Sequence, residues 1–325
     1  MSTPGRSCPL HYRYNAQDIG QGDPIDADVL YVVGGLYGNP YALDSVLELA
    51  SRELGQVRIV FNGDFHWFDV DAALFADIDR RVMQHAATRG NVETELALPA
   101  GDAGCGCGYP DWVSDGEVAR SNEIMNTLLR VASEFPQAMA RYANLPMHLG
   151  ARVGDLRIAI VHGDAQSLAG WAFSQENLLA SPEDVAQMLG QVAADVIACT
   201  HTCLPVAQRF ETSSGQRCLI NNGAAGMPNF AGDLRGLVTR IAPSASPLAL
   251  YGAGVQGMRV EALPVDCGGK RWLSHFDELW PAGSPASVSY RQRIAAGPSY
   301  RVAQATREGF NSVRPSQMVG KAGGK

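Results

Sequence analysis

Four polar side chains stand at positions and in combinations that suit a metal ion. Asp64, His162 and His201 each come soon after a run that predicts a buried strand, and Asn91 follows the helix after Asp64. In open α/β sheets, the carboxyl ends of the strands form the crevice where ligands bind. Two imidazoles, a carboxylate and an amide oxygen meeting there would suit Zn²⁺, Mn²⁺ or Fe²⁺. The order of these residues therefore predicts a metal site.

The elements that must position these residues alternate between strands and helices. Strands are predicted over 28–33 and 57–61, with a helix from Pro40 between them and a second helix over 71–87. This alternation indicates an α/β protein with right-handed βαβ units around a buried sheet. Further strands, some of them forming a mixed or antiparallel edge, are predicted at 147–153, 156–161, 195–199, 205–210, 218–221, 237–241 and 258–265.

The composition is that of a globular protein with an acidic balance. Of 325 residues, 46 % are apolar and 18 % charged, and the net charge is −7. No apolar run of about 18 residues predicts a membrane span. An acidic chain without a basic run disfavours nucleic-acid binding through phosphate neutralisation. Seven cysteines, an odd number, and the lack of a secretory signal indicate a reducing compartment, so we expect a cytoplasmic location.

Three regions are expected along the chain. Residues 1–27 are polar and irregular and predict an N-terminal arm, whereas residues 28–266 hold the alternating strands and helices. An insertion at about 98–145 interrupts this central region. Residues 267–325 are expected to form a C-terminal extension with a frayed end at 320–325. The extension would lie on the body or on a neighbouring copy, and the second arrangement would make a homo-oligomer.

The cysteines Cys105 and Cys107 lie in a glycine-rich stretch over 98–114 and are separated by one residue. That spacing is too tight for an ordinary disulfide, and no second pair is present to complete a zinc site. We expect a flexible loop here. The alternative is a lid with reactive thiols.

The motifs resemble those of the calcineurin-like metallophosphoesterases over about 28–229. The blocks, in the family's order, are Gly35-Leu36-Tyr37-Gly38-Asn39, Gly63-Asp64, Gly90-Asn91-Val92-Glu93, His162-Gly163-Asp164 and Thr200-His201-Thr202-Cys203-Leu204-Pro205. The resemblance implies a four-layer α/β/β/α sandwich of mixed sheets, followed here by the C-terminal extension. It also implies that one metal is held by Asp64, Asn91, His162 and His201.

The family's other metal position is changed in this sequence. Gly35 and Tyr37 stand where the family has an aspartate and a histidine. Cys203 replaces the last histidine of the G-H-T-H block, and Val92 replaces the histidine after G-N. Three explanations are open: the protein uses one metal, catalysis has been lost, or the site is rebuilt. A rebuilt site would use Cys203 as a ligand, with further candidates in Tyr37, His66, Asp69, Cys105 and Cys107.

The resemblance implies hydrolysis of a phosphate mono- or diester, with a small-molecule phosphoester as the substrate. A metal-bound hydroxide would attack phosphorus, and the ion and the Asn91 amide would stabilise charge on the phosphoryl oxygens. His66 is the predicted proton donor to the leaving group, and Tyr37 and Asn39 are predicted to contact substrate. We expect one or two ions of manganese, iron or zinc per chain. The alternatives are a non-catalytic metal- or ligand-binding protein on this fold, or a metalloenzyme with a rebuilt iron or zinc site and another reaction.

Overall fold

The computed structural model describes residues 4–6, 9–98 and 103–313, so the expected frayed end at 320–325 lies outside the described residues. The strands are β1 (Ile25–Ala27), β2 (Val29–Val33), β3 (Val57–Asn62), β4 (Ala86–Thr88), β5 (His148–Val153), β6 (Leu156–Val161), β7 (Val196–Cys199), β8 (Val206–Thr212), β9 (Gly215–Asn221), β10 (Arg235–Ala242), β11 (Tyr251–Val255), β12 (Met258–Asp266) and β13 (Asn311–Ser312). The helices are α1 (Pro40–Ser51), α2 (Ala72–Val82), α3 (Asn91–Ala97), α4 (Asp115–Ala132), α5 (Pro136–Ala143), α6 (Asn177–Ala180), α7 (Pro182–Gly190), α8 (Lys270–Leu279), α9 (Pro285–Ala296) and α10 (Val302–Ala305).

The first sheet has seven strands, in the order β13-β11-β12-β10-β2-β3-β4. Strands β2, β3 and β4 run parallel, with Val33 beside Phe61 and Asn62 beside Thr88, and the other strands pair antiparallel. Because parallel strands end at the same edge, the loops after β2 and β3 lie next to each other.

The second sheet has six strands, in the order β1-β5-β6-β7-β9-β8. Strands β6, β7 and β9 are parallel, with Ile160 beside Ala198, and β5 forms the predicted antiparallel hairpin with β6. Strands β6 and β7 therefore deliver their following loops to one edge, as β2 and β3 do in the first sheet.

Alternating side chains make four layers out of these two sheets. In β2, Leu30 and Val32 pack into a core between the sheets, where they join residues such as Ile160 of β6. Tyr31 and Val33 face the other way, against α1 to α5, α8 and α9. A third core lies under α6 and α7 on the outer face of the second sheet. The predicted α/β/β/α sandwich of mixed sheets is confirmed.

The structure departs from the sequence predictions in several segments. The second helix, expected to reach residue 87, ends at Val82 and is followed by β4, and β1 lies in the arm that was expected to be irregular. A single helical region is expected over about 117–142, but it is divided into α4 and α5, because Pro136 starts a new helix at its first position. Strand β11 was not predicted, since glycine at two of its five positions weakens the strand pattern. The C-terminal extension contains α9, which packs through Ala286 and Ile294, although little periodicity was expected there.

The described part of the C-terminal extension lies on the body of its own chain. The Tyr300 hydroxyl donates a hydrogen bond to the carbonyl of Pro205, and β13 pairs with β11. A homo-oligomer formed through this extension stays a prediction. Within the described residues, no helix is both long enough and apolar enough to cross a lipid bilayer.

A buried ion network ties α1 to the first sheet. The guanidinium of Arg240 donates to Glu53 at 2.6 Å and to Glu261 at 3.1 Å, and the Tyr31 hydroxyl donates to Glu53 at 2.7 Å. Arg240 is 3 % exposed and Glu261 is fully buried. Removing the cation would leave a carboxylate in the interior with too few partners.

We predict that Arg240→Ala lowers the free energy of unfolding by about 3–5 kcal/mol, because Glu261 loses its main counter-charge inside the protein. Urea unfolding followed by circular dichroism measures this loss. Arg152→Ala is the matched control, since Arg152 pairs with Asp26 on the surface and its loss should leave stability nearly unchanged. Equal losses for the two variants would contradict the importance given to the buried network.

Candidate metal centre

The candidate site lies where the loops after the parallel strands of both sheets meet. Asp64 follows β3, His162 follows β6, and His201 lies shortly after β7. Asn91 is the first residue of α3. Each of these residues is at most 5 % exposed. The structure thus brings together the four residues that the sequence predicted as ligands.

The backbone of the site is held in an unusual conformation. Tyr37, Asp64 and Cys203 have φ values of 55°, 51° and 63°, in the left-handed region that side chains with a Cβ rarely adopt. All three line the same cavity. Among the described residues only one other non-glycine residue, Gln256, has a positive φ. Strained backbone concentrated at one cavity is typical of a functional site.

Glu93 holds the strained Asp64 loop in place. Its carboxylate accepts hydrogen bonds from the backbone N–H groups of Asp64 at 2.8 Å, Phe65 at 3.0 Å and Gly90 at 2.9 Å. Burial and the nearby Asp64 carboxylate raise the pKa of Glu93. Glu93 was not among the predicted site residues, although a glutamate three residues after the N-cap Gly90 is one half of the capping-box signal for a helix start.

Four side-chain atoms converge at the centre of the site. The His162 Nε2 atom lies 3.4 Å from Asp64 Oδ2, 3.3 Å from Asn91 Oδ1 and 3.2 Å from His201 Nδ1. The candidate ligand atoms of Asp64, His162 and His201 all lie within 4.8 Å of one another. Bonds of about 2.0–2.1 Å to zinc place neighbouring ligands of a tetrahedron about 3.3 Å apart. The observed spacing therefore matches that of a metal site.

The hydrogen bonds at the outer side of each histidine decide which nitrogen faces inward. His162 Nδ1 lies 2.8 Å from the carbonyl of Asn62, and His201 Nε2 lies 3.0 Å from the carbonyl of Cys107. A carbonyl only accepts, so both of these nitrogens carry a proton and donate. The inward nitrogens therefore present lone pairs, which is the arrangement that metal-binding histidines adopt.

The same reasoning applies to the Asn91 amide. Its Nδ2 donates to the carbonyl of Cys105 at 2.9 Å, so Oδ1 faces His162. Two nitrogen lone pairs, a carboxylate oxygen and an amide oxygen thus face one another in a buried space. A metal ion at their centre, in place of a proton on His162 Nε2, would satisfy all four atoms. The donor set fits a divalent metal ion.

Local charges bring His201 and Asp64 to the forms that bind metal. Burial and the neighbouring His162 lower the pKa of His201 to about 3, so this ring is neutral at neutral pH. Burial alone would raise the pKa of Asp64, but the adjacent His162 outweighs it and lowers that pKa. Asp64 is therefore ionised, and metal binding needs an ionised carboxylate and neutral imidazoles. Burial alone would lower the pKa of His162, but the adjacent Asp64 carboxylate outweighs it and raises that pKa, so a metal ion would compete with a proton for His162.

A small cavity of about 40 Å³ opens onto the convergent atoms. Its walls combine the site residues with aromatic side chains. The lining residues are Tyr37, Asp64, Trp67, Asn91, Val92, Cys107, Tyr109, Trp171, His201, Cys203 and Tyr290.

Comparison with protein-family models gives no match, and comparison with curated proteins gives no relative. Solved structures do match. A metallophosphoesterase from Sphaerobacter thermophilus aligns with a TM-score of 0.52 at 18 % identity, covering 84 % of this chain and 100 % of that one. A hypothetical protein from Pyrococcus horikoshii aligns with a TM-score of 0.54 at 14 % identity, covering 84 % and 99 %. This chain has the calcineurin-like metallophosphoesterase fold. At such identities the likeness establishes the fold alone.

Gly35 and Tyr37, where the sequence resemblance implies ligands of a second metal, pack against each other. A Cβ on Gly35 would lie 3.0 Å from the ring of Tyr37, and Gly35 itself has a φ of 63°. The Tyr37 ring therefore occupies the space that a side chain at position 35 would need. The two substitutions are complementary, because the missing side chain makes room for the larger one.

Cys203 does not join the ligand cluster. Its Sγ lies 3.0 Å from the Tyr37 hydroxyl and also donates to the carbonyl of His201. Burial raises the pKa of the Cys203 thiol, and burial also raises the pKa of Tyr37. Cys203 Sγ lies outside the group of converging ligand atoms, so the structure does not support its predicted place among the ligands.

His66 lies in a buried network rather than in the cavity. Its Nδ1 bonds to Asp69, and its Nε2 lies 2.7 Å from the Tyr142 hydroxyl, which in turn donates to Asp79. The ring is fully buried and stacks on Phe75. Both ring nitrogens have partners within the fold, so the expectation that His66 protonates the leaving group is corrected.

Asn39 has a structural role instead of the predicted contact with substrate. Its Oδ1 caps α1 by accepting from the N–H groups of Tyr41 and Ala42, and its Nδ2 donates to the carbonyls of Gly226 and Cys267. The residue is fully buried. Because every polar atom of the side chain is engaged, Asn39 does not reach the cavity.

Cys105 and Cys107 form a disulfide, contrary to the expectation that their spacing is too tight. Their Cα atoms are 5.4 Å apart, within the usual range for disulfides. Gly106 has a φ of 65°, and a Cβ there would collide with the Tyr12 hydroxyl. The left-handed glycine lets the chain curl so that both sulfurs face the same side.

We predict that His201→Ala lowers the affinity for Mn²⁺ or Zn²⁺ by at least about 100-fold, because one of the four convergent donors is lost. Isothermal titration of the metal-free protein measures the affinity. His275→Ala is the control, since His275 lies on α8 and packs against Trp272. Unchanged binding by the His201 variant would show that the cluster is not the metal site.

We also predict that Glu93→Gln weakens metal binding by about 10–100-fold, because an amide cannot accept from all of the N–H groups that hold the Asp64 loop. Glu261→Gln is a matched control: it too neutralises a buried carboxylate, but one that bonds to Arg240 and the N–H of Ser246 and not to the Asp64 loop. Thermal unfolding of both variants separates a loss of stability from a loss of metal affinity. Equal metal affinities in the two variants would contradict the role given to Glu93.

Proposed function

We propose that this chain is a phosphoesterase that works with one divalent metal ion held by Asp64, Asn91, His162 and His201. The observation that carries the proposal is the convergence of four buried atoms. Asp64 Oδ2, Asn91 Oδ1 and His201 Nδ1 all lie 3.2–3.4 Å from His162 Nε2. Two imidazoles with two oxygen donors favour zinc, manganese or ferrous iron over magnesium. The packing of the Tyr37 ring against Gly35, where the resemblance implies ligands of a second metal, supports a stoichiometry of one.

A bound divalent ion would supply Lewis-acid chemistry, which polarises a phosphoryl oxygen and makes water more acidic. The protein residues hold the ligands in place. Asn62 and Cys107 fix the histidine tautomers through their carbonyls, and Glu93 fixes the loop of Asp64. Asn91 acts through Oδ1 as a ligand. Its Nδ2 is bonded to Cys105 and therefore does not donate to a phosphoryl oxygen as the sequence had suggested.

The charge of the cavity favours a diester over a monoester. Among the described residues, those that line the cavity include no lysine or arginine. A monoester dianion would meet the Asp64 carboxylate with only the metal to balance it, whereas a diester carries one negative charge less. The Tyr37 hydroxyl, which lines the cavity, is a candidate donor to the phosphoryl group. The preferred substrate is therefore a small phosphodiester.

The leaving group must depart without help from a nearby imidazole. Val92 stands where the family has a histidine, and both nitrogens of His66 are bonded within the fold. Water would have to supply the proton, which favours esters of acidic alcohols such as phenols. The cavity has room for roughly three waters. Substrate therefore enters only after the aromatic side chains around the cavity, such as Trp171 and Tyr109, move apart.

One observation favours a second candidate, a metal-binding protein without catalysis. Tyr37 and Val92 replace a metal ligand and a proton donor of the family with side chains that fill the space, and the cavity is small. Such a protein would keep the metal cluster for a structural or binding purpose. A cytoplasmic location, a manganese, iron or zinc cofactor and a small-molecule phosphoester partner remain predictions in either case.

Hydrolysis of nitrophenyl esters distinguishes the two candidates. We predict that protein loaded with one equivalent of Mn²⁺ or Zn²⁺ cleaves bis(p-nitrophenyl) phosphate at least about tenfold more efficiently than p-nitrophenyl phosphate. Asp64→Asn should lower that kcat/KM at least about 100-fold, because the anionic ligand is lost. Arg152→Ala is the control, because Arg152 forms an ion pair with Asp26 on the surface. Full metal loading with no turnover above buffer would favour the non-catalytic candidate.

A further inference from the structure

The loop Cys105–Gly106–Cys107 touches the metal cluster through its backbone. The carbonyl of Cys105 accepts from Asn91 Nδ2 at 2.9 Å, and the carbonyl of Cys107 accepts from His201 Nε2 at 3.0 Å. Two of the four candidate ligands therefore have their outer hydrogen bond on this one loop. No sequence motif of the family accounts for this arrangement.

These two hydrogen bonds select the atoms that face the metal. If the Cys105 carbonyl moved away, the Asn91 amide could turn and point its NH₂ group toward the cluster. If the Cys107 carbonyl moved away, His201 would lose the partner that keeps the proton on Nε2 and the lone pair on Nδ1. The loop thus determines whether Asn91 and His201 present acceptors or donors to the centre.

The disulfide is what limits the freedom of this loop. It links residues two positions apart, so the carbonyl carbon of Cys105 lies in one small ring, and the carbonyl of Cys107 is attached directly to that ring. The loop is also anchored by the N–H of Cys105, which donates to Asn122, and by the close approach of Gly106 to Tyr12. The four other cysteines that the structure describes form no disulfide. Among the described cysteines, a reductant therefore acts on the Cys105–Cys107 disulfide alone.

We propose that the Cys105–Cys107 pair is a redox-sensitive positioning element of the metal centre, and that the protein binds metal more tightly with the disulfide formed than with the two thiols. The proposal rests on the metal site of the proposed function but not on its reaction. Reduction by a dithiol breaks the S–S bond, and the two cysteines take up two electrons and two protons while the dithiol becomes a disulfide. The freed loop then holds Asn91 and His201 less firmly.

Bound metal and the disulfide are expected to favour each other. Cys105 is fully buried and Cys107 is 7 % exposed, and Cys107 lines the cavity beside His201. A reductant must therefore approach through the cavity. By thermodynamic linkage, if the disulfide raises metal affinity by some factor, bound metal raises the ratio of disulfide to dithiol by the same factor. A tenfold coupling corresponds to a midpoint potential about 30 mV more negative in the presence of metal.

The test compares the oxidised and the reduced wild-type protein, which needs no substitution. Mn²⁺ is the probe, because it prefers oxygen and nitrogen donors and binds thiolates weakly, so freed cysteines should not bind it themselves. Peptide mapping by mass spectrometry first establishes that the peptide with Cys105 and Cys107 is lighter by two hydrogens in the oxidised sample. Mn²⁺ affinity is then titrated in both states, and the midpoint potential is measured with and without Mn²⁺.

We expect reduction to weaken Mn²⁺ binding by about 10–100-fold, the usual effect of losing the outer partners of metal ligands. The double variant Cys105→Ser/Cys107→Ser should bind Mn²⁺ as weakly as the reduced protein and show no redox dependence. Cys203→Ser is the matched control, since it removes a thiol that lines the same cavity, and it should keep the full dependence on redox state.

Three results would overturn the proposal. They are the absence of the disulfide after oxidation, Mn²⁺ affinities in the two states that agree within twofold, and a midpoint potential that Mn²⁺ does not move. A fall in thermal stability on reduction with unchanged Mn²⁺ affinity would mean that the pair supports the fold alone. If the protein hydrolyses no phosphoester but its Mn²⁺ binding depends on redox state, the proposed reaction is overturned and this inference stands.

Discussion

Four acceptor atoms face one another inside this protein, and the surrounding structure is arranged to keep them there. Acceptor atoms facing one another in a buried space are unfavourable unless a cation (a proton or a metal ion) lies between them. The carbonyls of Asn62, Cys105 and Cys107 turn the donor atoms of the ligands outward. Glu93 accepts from the N–H groups of the Asp64 loop, which holds that residue in a left-handed conformation. The metal cluster thus depends on backbone groups as much as on its ligands.

Beside the cluster, the residues that the sequence resemblance aligns with a second set of metal ligands pack against one another. Gly35 has no side chain at a position where the resemblance implies a ligand, and the Tyr37 ring fills the space next to it. The Tyr37 hydroxyl then bonds to Cys203, which stands where a third ligand would be. Each replacement fits the next, so restoring a single ligand would create a clash rather than a second metal site. This packing is the physical basis on which we propose a stoichiometry of one.

The sequence was sufficient to predict the fold and the cluster of ligands, but not the direction of individual side chains. Asp64, His162 and His201 were found because apolar runs typical of buried strands end just before them. His66 belongs to the same loop as Asp64, yet the left-handed turn at Asp64 sends it into the core, and spacing alone carries no sign of that turn. A cap on α1 was foreseeable for Asn39, which immediately precedes a proline at a helix start. The contacts of the Cys105–Cys107 loop required the tertiary structure.

The central claim is that one metal ion sits between Asp64, Asn91, His162 and His201. Anomalous diffraction at the manganese or zinc edge, from crystals grown with that metal, tests it most directly. The account predicts a single strong peak about 2.0–2.2 Å from His162 Nε2 and His201 Nδ1, and no peak beside Tyr37 and Cys203. A second peak at Tyr37, or no peak among the four convergent atoms, would contradict the account.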